Sequence, residues 1–135
     1  MEEINYQKRS FYRYYNAHPK QLRTGDCVVR AYCTAFNKDY LEARKELNRA
    51  KKDLGLTSYK TSIFFNRYFK DKYLHESYQA QKGCWRMTGE EFAMKHPTGN
   101  YLLRMAHHLT CCIDGIIYDT WDCSEKCVYC SWRIK

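Results

Sequence analysis

Thr24-Gly25-Asp26-Cys27-Val28-Val29-Arg30-Ala31 joins a polar turn to an apolar helical run, with a cysteine at the junction. Cys27, Ala31 and Ala35 recur at spacings of four, and Val28, Tyr32 and Phe36 lie beside them on the same face. That period predicts a central, buried helix that Asn37-Lys38-Asp39 ends. The first turn of a helix presents unpaired N–H groups and the positive end of the helix dipole. A thiol placed there has its thiolate stabilised and its nucleophilicity raised. Cys27 is therefore the candidate nucleophile, with an inert buried cysteine as the alternative.

Downstream, Tyr40 to Leu54 reads as a charged helix marked by Leu41, Leu47 and Leu54 and closed by Gly55. Residues 58–73 carry Tyr59, Ile63, Phe64, Tyr68 and Phe69 near helical period, and 74–83 read as a loop. Thr88-Gly89-Glu90-Glu91 is a capping box that opens a short helix through Lys95, with Phe92 and Met94 as its packing residues. After Gly99 the period becomes two: strands are expected over 100–105, 107–113, 116–121 and 126–134. Upstream, Phe11-Tyr12-Arg13-Tyr14-Tyr15 reads as an arm or strand packed on the body, in preference to a surface for stacking bases.

Asp114-Gly115 is a two-residue hairpin signal, and it places side chains. With Ile113 opposite Ile116, alternation puts His108, Thr110, Cys112, Ile117, Asp119 and Trp121 on one face. His107, Leu109, Cys111, Tyr118, Thr120 and Asp122 fall on the other. Two acid–base pairs result: His108 with Asp119, as diagonal neighbours, and His107 with Asp122, directly opposite. A cysteine nucleophile needs a base and a group that orients the base, so either pair is a candidate partner for Cys27.

The chain has 135 residues, enough for one domain with a real core. It divides into an arm (1–23), a mainly helical part (24–97) and an antiparallel sheet (98–135). Hydrophobic residues at 44% and charged residues at 28% exclude a disordered chain. Aromatics at 16% require an aromatic-rich core or groove. No apolar run of membrane-spanning length and no signal-peptide core occurs, which predicts a cytoplasmic protein whose eight cysteines are mostly reduced. The net charge of +8 favours acidic partners. Lys and Arg are nonetheless spread along the chain with no nucleic-acid signature, so a non-catalytic basic module binding nucleic acid or an acidic protein is the less favoured alternative. Cys123-x3-Cys127-x2-Cys130 has metal-ligand spacing, and Cys84, Cys111 or Cys112 could supply a fourth thiolate for zinc. That pattern has no matched second pair, so small buried hydrophobes are preferred for these cysteines and no cofactor is expected.

Gln21-Leu22-Arg23-Thr24-Gly25-Asp26-Cys27 resembles the Gln-x4-Asp-Cys motif of bacteriocin-processing peptidases, members of the papain-like cysteine peptidase superfamily. Residues 107–122, with their His-His, Asp-Gly and Asp-Thr-Trp-Asp elements, are similar to the histidine strand and following Asp of that family. Together with Gly99-Asn100-Tyr101-Leu102-Leu103-Arg104 they also resemble small bacterial and phage proteins of the same superfamily. Where the peptidases place Gly after the Cys, this chain has Val28. The resemblance implies an α+β, papain-like fold with the Cys-bearing helix packed on the sheet. It implies His108 as base, Asp119 as orienter and Gln21 as an oxyanion donor, with His107 and Asp122 as alternates. The implied reaction is hydrolysis of a peptide, isopeptide or other amide bond in a peptide or protein substrate, or transfer by the same thiolate. A fold-retaining acyltransferase or pseudoenzyme stays open beside it.

Overall fold

The computed structural model describes residues 10–80 and 86–135. Four helices and six strands form a mixed α+β domain. They are β1 (Tyr12–Tyr14), α1 (Cys27–Phe36), α2 (Tyr40–Asp53), α3 (Ser62–Phe69), β2 (Leu74–Ser77), α4 (Gly89–Lys95), β3 (Asn100–Met105), β4 (His108–Ile113), β5 (Ile116–Asp119) and β6 (Cys130–Arg133). The strands make one sheet in the order β1-β5-β4-β3-β6-β2. All neighbours are antiparallel except β1, which runs parallel to β5. The wholly antiparallel, C-terminal sheet expected from the sequence is thus corrected at both edges. One edge strand comes from the arm and the other from the supposed loop at 74–83.

Local chemistry accounts for the elements. Asn37 takes the left-handed conformation (φ 56°) and its N–H bonds the Cys33 and Thr34 carbonyls, which stops α1. Asp39 caps α2 by accepting from the N–H groups of Leu41 and Glu42. Asp114 and Gly115 both have positive φ, as the two-residue turn requires, and Ile113 pairs with Ile116, Cys112 with Ile117 and Cys111 with Tyr118. His107 also has positive φ (53°) and turns β3 into β4 rather than beginning β4. Thr88 and Glu91 complete the reciprocal capping box of α4. Thr88→Ala is expected to lower stability by about 1 kcal/mol, read as a lower urea midpoint with an unchanged slope.

Two apolar layers flank the sheet. On one face α1 packs over Leu102, Leu109 and Cys111, α2 packs against α1, and α3 sets Phe65 and Phe69 against Trp132 of β6. There Tyr32, Phe36, Phe64, Phe65, Phe69 and Trp132 meet edge to face, tilted or, for Tyr32 and Phe69, stacked, which places much of the aromatic content in the core while Tyr14, Tyr15, Trp121 and Tyr129 stay exposed. On the other face α4 supplies Phe92 and Ala93 against Leu103, Met105, Cys112, Ile117 and Cys123. Leu41, Ile63 and Met94 are exposed, so three of the expected packing marks lie outside the core. No helix among the described residues is long and apolar enough to cross a membrane.

Candidate active site

Cys27 is the first residue of α1 and is partly exposed. Its N-cap residue, Asp26, does not cap: no side-chain bond closes the first turn of the helix. The Asp26 carboxylate instead pairs with Arg30 one turn on and accepts from the Tyr40 hydroxyl at 2.7 Å. The first-turn N–H groups at Cys27 are therefore spared a side-chain partner.

His108 opens β4 and Asp119 ends β5. His108 Nε2–H donates to Asp119 Oδ2 at 2.7 Å, and both side chains are buried. The expected diagonal pair is formed. Asp119 is held from several sides. Its Oδ1 accepts from the Thr120 N–H at 2.7 Å and lies 3.7 Å from an Arg30 guanidinium nitrogen. Its carbonyl oxygen accepts from the Tyr15 N–H at 2.9 Å, and Tyr14 is its partner across β1. The N-terminal strand thereby holds the Asp119 backbone in place. Trp121, whose ring centroid is 4.9 Å from that of His108, lies against the imidazole.

The way this pair meets Cys27 differs from the two-face expectation. Helix α1 covers the Leu109 and Cys111 face, whereas His108 and Asp119 belong to the α4 face. The β4–β5 ladder, however, ends at Cys111 and Tyr118. Beyond that point residues of both faces line one small cavity with α1: Leu109 and Tyr118 from one face, Thr110 and Asp119 from the other, and Cys27 and Arg30 from the helix. One buried Arg30 touches both Asp26 at the head of α1 and Asp119 on β5.

Charges at the site favour an ion pair. Burial opposes ionisation of Cys27, yet the neighbouring His108 imidazole, the Leu109 backbone and the Arg30 charge hold its pKa below the ordinary thiol value. Burial also opposes a charged His108, but Asp119, Cys123 and Cys27 outweigh it and raise its pKa. The Asp119 carboxyl is held low against its own burial, chiefly by His108. Nε2 being committed to Asp119, Nδ1 is the nitrogen left for a thiol proton.

Other expected residues are placed elsewhere. Gln21 is exposed, with φ 58°, and its Nε2 donates to the carbonyls of Asn16 and His18. Its amide protons are bonded within the turn at 16–21, and Gln21 is not among the residues that line the two cavities at Cys27. His107 is exposed in the β3–β4 turn, and Asp122 is exposed beyond β5, where it accepts from the Ser124 N–H. The alternate pair is not brought together. Arg30 is a structural tie, not a free cation.

The metal pattern is redistributed as well. Cys123 is fully buried beside the acid–base pair, its Sγ 3.7 Å from Asp119 Oδ2. Cys127 bridges to Thr88 and Cys130 sits on β6 opposite Arg104. Cys84 lies outside the described residues. Among the described residues, the ligand atoms that gather within 4.8 Å belong to His108, Asp119 and Cys123. At 2.7 Å the His108–Asp119 contact is closer than the roughly 3.3 Å between two ligands on tetrahedral zinc, and fits a shared proton better than a metal. The sequence carries no periodic signal for Cys123 or for the Tyr15 contact, because one lies after the strand and the other is a backbone bond.

No family model matches the chain, and neither a curated protein nor a solved structure does.

Proposed function

We propose that this chain is a papain-like cysteine hydrolase that cleaves a peptide, isopeptide or related amide bond through an acyl-enzyme. The observation that carries the proposal is one cleft lined by both Cys27, at the head of α1, and His108, which is bonded to Asp119 at 2.7 Å. Nucleophile, base and orienter come from three elements that only the folded chain brings together. The proposed chemistry needs Cys27 as a free thiol, which a reducing compartment such as the cytoplasm would maintain.

In the mechanism, His108 takes the Cys27 proton and the thiolate attacks the carbonyl carbon. A C–S bond forms and the carbonyl π electrons move to oxygen. The uncapped first-turn N–H groups of α1, the Cys27 amide among them, receive that oxyanion. Collapse breaks the C–N bond, and the imidazolium returns its proton to the departing amine. Water, deprotonated by His108, then attacks the thioester and releases the acid and the thiol. Asp119 holds the tautomer and the ring throughout.

The test is substoichiometric iodoacetamide at about pH 6.5, read by peptide mass spectrometry. Cys27 is expected to be labelled first, because Cys33, Cys111 and Cys112 are buried with pKa values pushed up by burial. Preferential labelling of Cys127 or Cys130 would end the assignment.

A further inference from the structure

A cleft of about 330 Å³ opens beside Cys27, between the head of α1, the loop before α3 and the β3–β4 turn. Apart from Cys27 itself, its ionisable lining is basic: Lys60, Arg104 and His107, next to His108, with no carboxylate among the lining residues. The Lys60 ammonium donates to the Gly25 carbonyl at 2.9 Å, two residues before the nucleophile. Arg104 is partly buried. One guanidinium nitrogen donates to the Thr61 carbonyl at 3.4 Å, its Cζ stands 5.8 Å from the centre of the Phe65 ring, and its Nε is buried without a partner.

Among the described residues, no carboxylate lies within ion-pair distance of Arg104 or Lys60. Arg30 provides the contrast, since the fold gives that buried guanidinium two aspartates. A guanidinium drawn partly out of water with no counter-charge is a net cost to the folded state, and an anion in the cleft would offset it. Burial also pulls the Arg104 pKa down, against the opposing charges of the Cys130 and Cys27 thiolates.

We propose that the cleft receives a carboxylate of the acyl donor, so that the substrate is an acidic peptide carrying Asp or Glu next to the reacting carbonyl. This rests on Cys27 as the nucleophile. Arg104 clamps the carboxylate from the cleft wall, as guanidinium groups do, and Lys60 closes on it from the rim. His107, on its positive-φ turn, presents a third donor.

The experiment compares alkylation of Cys27 by iodoacetate, which carries a carboxylate, with alkylation by neutral iodoacetamide, read by peptide mass spectrometry. The ratio of the two rates is expected to exceed that of N-acetylcysteine by about tenfold and to fall at high salt. Arg104→Gln should lower the ratio several-fold, which separates the cleft from the attraction of the His108 charge itself. Lys60→Gln, at an exposed side chain, serves if Arg104→Gln fails to fold. N-acetyl-aspartate α-amide should also slow iodoacetamide at Cys27 where N-acetyl-asparagine α-amide, which has no carboxylate, does not. A ratio like that of N-acetylcysteine, unmoved by either variant, overturns the proposal while fast iodoacetamide labelling leaves the nucleophile standing. Protection by inorganic phosphate at lower concentration than N-acetyl-aspartate α-amide overturns the carboxylate in favour of a phosphate group. If Cys27 is slower than the other thiols with both reagents, the nucleophile itself is wrong and the proposal falls with it.

Discussion

Asp119→Asn is expected to lower the turnover of an acyl donor by about 10^4-fold, the size of loss that follows when a histidine base is left in the wrong tautomer. The carboxylate does three jobs at once. Its Oδ2 accepts from His108, its Oδ1 takes the Thr120 N–H and faces Arg30, and its backbone carries the parallel β1 strand. An amide of the same shape keeps the backbone but loses the charge. It can offer His108 an N–H where an acceptor is needed, and it leaves Arg30 with Asp26 alone. Removing one partner from a buried charge pair costs on the order of 3 kcal/mol, so the variant should also melt earlier.

The pH dependence of that loss has a definite sign. Asp119 has its folded pKa lowered, so its contribution is present above the unfolded carboxyl value and is lost as pH falls through the folded one. His108 has its folded pKa raised, so its contribution is full below the unfolded imidazole value and disappears as pH rises through the folded one. Both hold between about pH 4 and pH 6.5, where wild type and Asp119→Asn should differ most in urea midpoint. The difference should shrink in more acid and in more alkaline solution. A gap independent of pH would mean that the pair is not an ion pair.

How far the site can be read from the sequence depends on the range of the interactions. The α1 run, the capping box at Thr88 and the Asp114-Gly115 turn are encoded within a few residues, and all three form as expected. Register then propagates from the turn along two strands, which makes the pairing of His108 with Asp119 legible in the sequence. Strand β2 escaped because every one of its residues is exposed, leaving no alternation to detect. Strand β1 pairs in parallel across more than 100 residues, a contact for which local pattern has no signature. The meeting of Cys27 with the far face of the sheet depends on where the β4–β5 ladder stops. Alternation along a strand says which face a side chain takes but not where its partner strand leaves it.

Two thiols flank the imidazole, and the second large effect separates them. Cys27→Ala should abolish acyl transfer, a loss of about 10^6-fold if the triad works as a unit, with the fold retained because the side chain is partly exposed. Cys123→Ala should behave in the opposite way. Cys123 is fully buried, its thiol points at Asp119 Oδ2, and burial beside that carboxylate raises its pKa in spite of His108. It is therefore held as a neutral donor to the orienting group, and its removal leaves a small cavity and one weak hydrogen bond fewer. About 1–2 kcal/mol of stability should be lost and turnover should change by less than about tenfold. In a thermal or urea melt read beside a thioester-trapping assay, the two variants should cross: Cys27→Ala stable and inactive, Cys123→Ala less stable and active. A stable, active Cys27→Ala with a dead Cys123→Ala would move the nucleophile to the far side of the imidazole. The acid–base pair would stay where it is, but attack would then have to come from a thiol that no substrate can reach without local opening of the loop after β5. The cleft beside Cys27, already bordered by His108, requires no such opening.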